Sequence, residues 1–331
     1  MEKTSKKILI LRFGALGDIV HTTIIPQAIK AKYPNYEVHY CSESRYLHVI
    51  KNNPNIDKII EFDHKRKKDI FYNFSIAQKL KSETYDVILN LTNALRNNLM
   101  TLYANPKQSF KKLPMGNRHA VEAFFLSAKQ AFPELTLPKN LQLGVDEKIA
   151  ESVSKKISEY PRPYFVFSPG GETDLNRQGR TWPAKYWCEL GNLLHRIFGG
   201  TIFVTGSPSE RDFHKKIVIN TEGAILCSGD FSIAESMSLF SLCDLFISGD
   251  SGPLHIASGL GKNTIGILGS TAPENIAPYG EHGFYVEPRI SCKYCWQKKC
   301  KKLQEGEKYT PCMKSIKPEN ILDLINRHKL L

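Results

Sequence analysis

Short apolar runs recur along the chain, and the segments between them carry helical spacing. KILIL (7–11) leads into a helix expected over 18–32, EVHYC (37–41) into one around 45–52, and KIIEF (58–62) and DVILNL (86–91) follow at similar intervals. The pattern resets at SEYPRPYFVFS, where Pro161 and Pro163 precede a new strand at 164–168. From there it repeats: a helix over 183–198, TIFVTG (201–206), a helix from Ser209, AILCS (224–228), a helix over 233–243, LFISG (245–249), a helix from Pro253, and TIGILG (264–269). Strands alternating with helices predict parallel sheets with crossover helices, an α/β fold. The prolines place a boundary near residue 160, giving domains 1–160 and 161–331, two doubly wound units with a cleft between them. In such sheets ligands bind beyond the carboxyl ends of the strands.

A length of 331 residues agrees with two domains. No apolar run approaches the roughly 18 residues of a membrane span. The basic start, MEKTSKKILIL, has too short an apolar stretch and no small-residue cleavage site for a signal peptide, so the expectation is a cytoplasmic protein.

Charge is uneven. Of the net +12, residues 1–165 hold 26 Lys and Arg against 16 Asp and Glu, a net +10, and residues 166–331 hold 19 against 17, a net +2. A basic first half suits a polyanionic partner or an anionic membrane surface; a solvated lysine-rich face is the plainer alternative. Nucleic acid is disfavoured, because KRKK (65–68) and Lys111–Lys112 are not interleaved with aromatics.

Candidate chemistry lies in the loops after strands. In RFGALGDIVHTT, Asp18 reads as a helix cap, a ribose binder or a catalytic base, and His21, three residues on, either modulates its charge or is a helix-surface histidine. In GDSGPLH, backbone N–H groups at Ser251, Gly252 and Leu254 offer an anion site at a helix start, although many such turns are ordinary N-caps. SPGG lets Gly170 and Gly171 approach a ligand closely. Arg180, before Trp182–Pro183, has a fork suited to a diphosphate, or is a solvated surface arginine. Glu210 in TGSPSE is either a first-turn acid opposing the helix dipole or a ribose-hydroxyl acceptor.

Cys41, Cys188, Cys227 and Cys243 read as buried reduced thiols. Cys292, Cys295, Cys300 and Cys312, spaced C-x2-C-x4-C-x11-C, allow a structural zinc or reduced thiols, with flanking lysines favouring thiolates or touching a membrane.

GALGDIVHT, SPGG followed by RTWPAKYW, TGSPSE, GDSGPLHIA, GILGSTAPENIAPYG and the terminal CKYCWQKKCKK to PCM resemble, in order and spacing, the ADP-heptose:lipopolysaccharide heptosyltransferases of glycosyltransferase family 9, over about residues 8–324. The resemblance implies the GT-B fold, two Rossmann-like domains facing each other across a cleft, an acceptor domain first and a nucleotide-sugar donor domain second. The second domain, 161–331, is expected to include the Cys-rich segment 292–312 and a terminal helix over 318–330 that packs back on the N-terminal domain. The resemblance also implies inverting transfer without a catalytic metal or cofactor, from ADP-heptose to an anionic lipopolysaccharide inner-core acceptor, Kdo or heptose.

By the same resemblance Asp18 matches the general base, facing the cleft. Gly170, Gly171, Asp250, Ser251, Gly252 and His255 belong to donor binding, with Asp250 on heptose hydroxyls and Glu210 on the ribose. Arg180 falls where many relatives have lysine, and would stabilise the departing diphosphate. Gly17 is an acceptor-side candidate, and so are Arg96 and Arg118 from their positions after strands or loops, where each reads equally as solvated surface. The expectation is a monomer at the inner face of the inner membrane that binds no nucleic acid. The alternatives are transfer of another nucleotide-activated sugar, or non-catalytic binding of a nucleotide or glycan.

Overall fold

The computed structural model describes residues 5–172, 178–297 and 299–331. Residues 173–177 of the loop after the SPGG segment, and Lys298, lie outside them. The chain divides into two units, with the division at Gly144/Val145 rather than near residue 160. The reason is the Glu147–Ile157 helix, whose Val153 and Ile157 are buried and which packs on the Ile233–Leu242 helix of the second unit. The two prolines therefore mark an entry into a strand and not a junction between domains.

The first unit carries five parallel strands, β1 (Lys7–Leu11), β2 (Glu37–Glu43), β3 (Lys58–Phe62), β4 (Val87–Asn90) and β5 (Gln108–Lys111), in the spatial order β3-β2-β1-β4-β5. The central strands are continuous apolar runs because helices cover both faces; Ile8 to Leu11 are wholly buried. The second unit has six, β6 (Tyr164–Ser168), β7 (Thr201–Val204), β8 (Ala224–Leu226), β9 (Leu245–Gly249), β10 (Thr264–Ile267) and β11 (Gly283–Val286), also all parallel, in the order β11-β10-β9-β6-β7-β8.

Both sheets reverse their winding direction beside their first strand, between β1 and β4 in one unit and between β6 and β9 in the other. A crevice opens at the carboxyl ends of the strands at such a reversal. In the first unit the reversal is followed by Phe13–Ala15 on one side and the 91–94 turn on the other; in the second, by the SPGG loop and by Asp250–Ser251.

Local departures from the expected elements have simple causes. The helix expected over 18–32 is two, Leu16–Thr22 and Ile24–Lys32, because Pro26 has no N–H for the Thr22 carbonyl. β5 (QSFK) is an edge strand whose mixed, mostly exposed residues carry no apolar run, and β11 (GFYV), an edge of the other sheet, has only three apolar residues. Gly14 has φ +139°, a conformation reserved for glycine, and a Cβ there would meet the Tyr46 ring at 3.2 Å.

The Pro318–His328 helix packs on the Ala184–Phe198 helix and β11 of its own unit. Ile321 and Ile325 are buried in one core with Phe165, Trp182 and Trp187, so the apolar face expected to rest on the first unit is used within the second. Trp182 Nε1 also donates to the Ile316 carbonyl at 2.9 Å, fastening the terminal segment to the strand-exit motif.

Since Trp182, Trp187 and Trp296 all belong to the second unit, tryptophan fluorescence reports its unfolding. Ile325→Ala removes a buried side chain from that core and is expected to lower its stability by about 2–4 kcal/mol in denaturant titration. A change below about 0.5 kcal/mol, the range of surface substitutions, would contradict this packing.

Candidate active site

In the first unit, Arg12 leaves β1 at the reversal and is almost buried. Its Nη1 donates to the Leu91 carbonyl at 2.6 Å, across the exits of β1 and β4, its guanidinium lies 5.1 Å from the Phe124 ring centroid, and its Nη2 donates to Asp18 Oδ2. Nε is buried without a hydrogen-bond partner. Asp18 sits in the first turn of the Leu16–Thr22 helix but caps nothing; the cap position is Ala15, which offers no side-chain bond. The arginine side chain is 10% exposed and the aspartate 35%, so the buried cation presents the carboxylate. Lys112, just past β5, stands by the same pair with Nζ 4.7 Å from the Phe124 centroid. Burial and the Arg12 guanidinium push its ammonium below the ordinary lysine value, with Asp18 opposing.

Arg96 lies on the same strand-exit edge, stacked over Phe62 at 4.6 Å and Phe13 at 5.5 Å, its Nε donating to Asn97. Burial lowers its pKa, with Glu43 opposing. The edge thus sets Arg12 and Lys112 beside one partly exposed carboxylate, Asp18, with Arg96 near Glu43.

The second unit has the converse arrangement. Arg180 Nη2 lies 2.6 Å from Asp250 Oδ2, and here the carboxylate is 6% exposed and the arginine 27%. Thr271 Oγ1 donates to the same oxygen at 2.8 Å. Asp250 therefore holds Arg180 through Oδ2 while lining the same cavity. The backbone before the arginine is pinned as well: Ser270 N–H donates to the Gly179 carbonyl at 3.2 Å, and a Cβ at Gly179 would fall 2.5 Å from Ser270 Cβ.

Beside this pair is a cavity of about 660 Å³ lined by Pro169, Gly170, Gly171, Arg180, Glu210 and Ser251, among others. Ser251 stands at the N-cap of the Gly252–Gly259 helix but does not cap it; its hydroxyl pairs with Ser248 at 2.8 Å. With Pro253 in that first turn and no side-chain cap, the helix start favours negative charge.

The family model for glycosyltransferase family 9 (heptosyltransferase) matches residues 73–305. The chain belongs to glycosyltransferase family 9. This glycosyltransferase is 25% identical to lipopolysaccharide heptosyltransferase 1 of Campylobacter coli, over 96% of its own length and 98% of that protein's. Among solved structures it resembles the family 9 glycosyltransferase of Veillonella parvula, with TM-score 0.85, 20% identity and coverage of 99% and 98% of the two chains. It also resembles ADP-heptose lipopolysaccharide heptosyltransferase II of E. coli, with TM-score 0.77, 19% identity and coverage of 97% and 98%. These likenesses establish the GT-B fold class; the chemistry rests on residues.

Of the expected site residues in the glycosyltransferase, Gly170, Gly171, Arg180, Glu210, Asp250 and Ser251 line one cavity. Gly252 opens the helix behind it, and His255, in the next turn, is buried and outside the lining. Glu210 accepts from Ser207 N–H at 2.7 Å and Ser207 Oγ at 2.8 Å, the capping reading of that acid. Gly17 lies on the Leu16–Thr22 helix next to Asp18. Arg118 is exposed before the Ala120–Lys129 helix. His21 is no surface histidine: it is buried, its ring 5.6 Å from that of His119.

Burial pushes the Cys41, Cys227 and Cys243 thiols up to about 12, so they are inert. Of the four cysteines of the zinc expectation, Cys292 and Cys300 are half-buried. Among the described residues no three His, Cys, Asp or Glu side chains are grouped to hold a metal ion; Cys295 is exposed, and Cys312 is buried with Sγ 3.0 Å from Thr310 Oγ1.

Three residues escaped the sequence reading. Arg12 and Lys112 were legible only as charges at strand ends. His214 is wholly buried between two strand exits, with Nδ1 2.6 Å from Ser228 Oγ and Nε2 2.8 Å from the Gly170 carbonyl. Nε2 must carry the proton to donate to that carbonyl. His214 thereby fixes the loop at Gly170, whose φ of +75° requires glycine.

Burial holds His214 below the ordinary histidine value of 6.5. Unfolding lets it take up a proton that the folded state refuses, so this group removes stability as the pH falls below about 6.5, by at most about 1.4 kcal/mol per pH unit. Unfolding free energies across that range should decline more steeply for the native chain than for His214→Gln. Parallel pH profiles would show that His214 is not buried neutral.

Proposed function

We propose that this glycosyltransferase transfers heptose from ADP-heptose to the lipopolysaccharide inner core, with inversion and without a catalytic metal. The observation that carries the donor side is Arg180, held by Asp250 at the mouth of the cavity beside the uncapped helix start at Ser251–Gly252. Both are diphosphate recognisers, and the departing ADP gains negative charge as its bond to the sugar breaks. Relatives matched over nearly their full length are named lipopolysaccharide heptosyltransferases, which supports heptose as the sugar.

On the acceptor side, Asp18 is the base. Oδ2 is occupied by Arg12, and Oδ1 takes the proton from the acceptor hydroxyl as its oxygen bonds to the anomeric carbon and the electron pair of the breaking bond leaves with ADP. Arg12 is a positioning residue, fixing the carboxylate through the Leu91 carbonyl and the Phe124 ring. Lys112 and Arg96 supply positive charge for an acceptor rich in carboxylate and phosphate. Asp250 positions Arg180 through Oδ2.

Turnover with ADP-heptose and a truncated core acceptor should release ADP, while UDP- and GDP-sugars release nothing. Release of UDP or GDP with none of ADP would overturn the donor assignment. Asp18→Asn should keep ADP binding and lose transfer by about a hundredfold or more; transfer within about tenfold of the native rate would remove Asp18 from the chemistry. Asp250→Asn, which weakens the hold on Arg180, should slow transfer by about tenfold or more, as loss of one charge-stabilising contact does, while acceptor binding is unchanged.

A further inference from the structure

The Ile70–Ser82 and Leu95–Ala104 helices pack on each other at one side of the first unit, and their inner faces, including Ile76, Ala77, Leu80, Met100 and Ala104, are buried. Their outer faces are apolar too. Phe71 is 87% exposed, Ile70 80%, Leu102 76% and Leu95 72%, with Phe74 and Leu99 about half exposed. Leu95, Leu99 and Leu102 form an i, i+4, i+7 stripe directed at solvent, and Ile70 and Phe74 repeat the spacing on the other helix. Between the two runs a groove of about 660 Å³ that is nearly all apolar. Contiguous exposure of this kind marks an interaction surface.

Its rim is basic. KRKK (65–68), exposed throughout, runs directly into the first helix. Its position beside the patch is fixed by Asn73 Nδ2 and Arg96 Nη1, which donate to the Lys67 carbonyl at 3.1 and 3.4 Å. At the other end Lys81 Nζ stands 5.0 Å over the Tyr103 ring. From Val87 to Val121 there is no Asp or Glu, and there are five Lys and Arg. The nearby acids are engaged: Asp69 caps the first helix and pairs with Arg66, Asp63 caps the 64–66 turn, and Glu83 pairs with Lys7 and Lys58.

We infer that this two-helix face docks the enzyme on an anionic lipid bilayer, the apolar side chains entering the acyl boundary and the flanking cations meeting phosphate headgroups. An amphipathic surface with Phe and Leu on one side and Lys and Arg at its margin has the composition that binds in the interfacial plane. A second copy of the chain fits the patch worse, because a two-fold contact would bring two basic rims together. The inference accords with a lipid-borne acceptor, but it is read in the absence of any sugar donor, so it can fail independently of the proposed function.

Vesicle co-sedimentation of the full chain tests it. Binding to phosphatidylcholine vesicles containing phosphatidylglycerol is expected to exceed binding to pure phosphatidylcholine and to fall with salt. Phe71→Ser with Leu102→Ser should weaken binding by about tenfold or more. Lys65→Gln, Lys67→Gln and Lys68→Gln should weaken it by about fivefold per lysine at low salt. All these positions are exposed, so unfolding temperatures and turnover on a soluble acceptor should be unchanged. Equal binding to neutral and anionic vesicles, or binding indifferent to both sets of changes, would overturn the inference. So would a dimer in sedimentation that the apolar double variant dissociates while vesicles go unbound.

Discussion

Each unit depends on one arginine–carboxylate pair set where its sheet reverses winding, and the two pairs have opposite polarity. In the first, the arginine is the buried member and the aspartate faces outward; in the second, the aspartate is buried and the arginine faces outward. A buried charge without its partner is strongly destabilising, so each inner member holds its outer one in place. The outcome is a presented carboxylate in one unit and a presented guanidinium in the other. Proton removal asks for the first, and neutralising a diphosphate asks for the second.

The same pairs explain why the loops around them are rich in glycine and small polar residues. Gly14 and Gly170 adopt backbone angles closed to other residues, and Gly179 has no space for a side chain against Ser270. These positions bring the backbone close to the strand ends, so that short polar bonds can fix it: Arg12 to the Leu91 carbonyl, His214 to the Gly170 carbonyl, and Thr271 to Asp250. Trp182, between Arg180 and the next helix, ties that loop to the terminal segment. The site is held by main-chain contacts at strand exits more than by any single helix.

The central strands were legible because burial on both faces leaves continuous apolar runs: KILIL, YFVFS and LFISG appear with the bounds expected, and so does KIIEF at an edge. Edge strand β5 was not, since exposure permits mixed residues, and neither was β11, whose apolar run is only three residues long. The boundary was misplaced because proline before a strand looks the same whether it follows a linker or a helix of the same unit. Of the site, the glycine turns and Asp18, Arg180 and Asp250 stood out as residue types in suggestive places. Pairing did not, because Arg180 and Asp250 are seventy positions apart and meet only through the adjacency of β6 and β9. Glu210 shows the converse: its capping geometry is local, set by Ser207 three residues before it, and it also lines the cavity.

The position of the final helix has a consequence for the order in which the molecule is made. Residues of the first unit close its core among themselves and can fold as soon as they leave the ribosome. The second unit cannot do this, because Ile321 and Ile325 complete the core around Trp182 and Trp187. Until they emerge, the strands that carry the arginine loop lack part of their covering layer. During synthesis the chain therefore passes through a stage with a finished first unit and an open second one, whose apolar sheet face must be shielded from its neighbours.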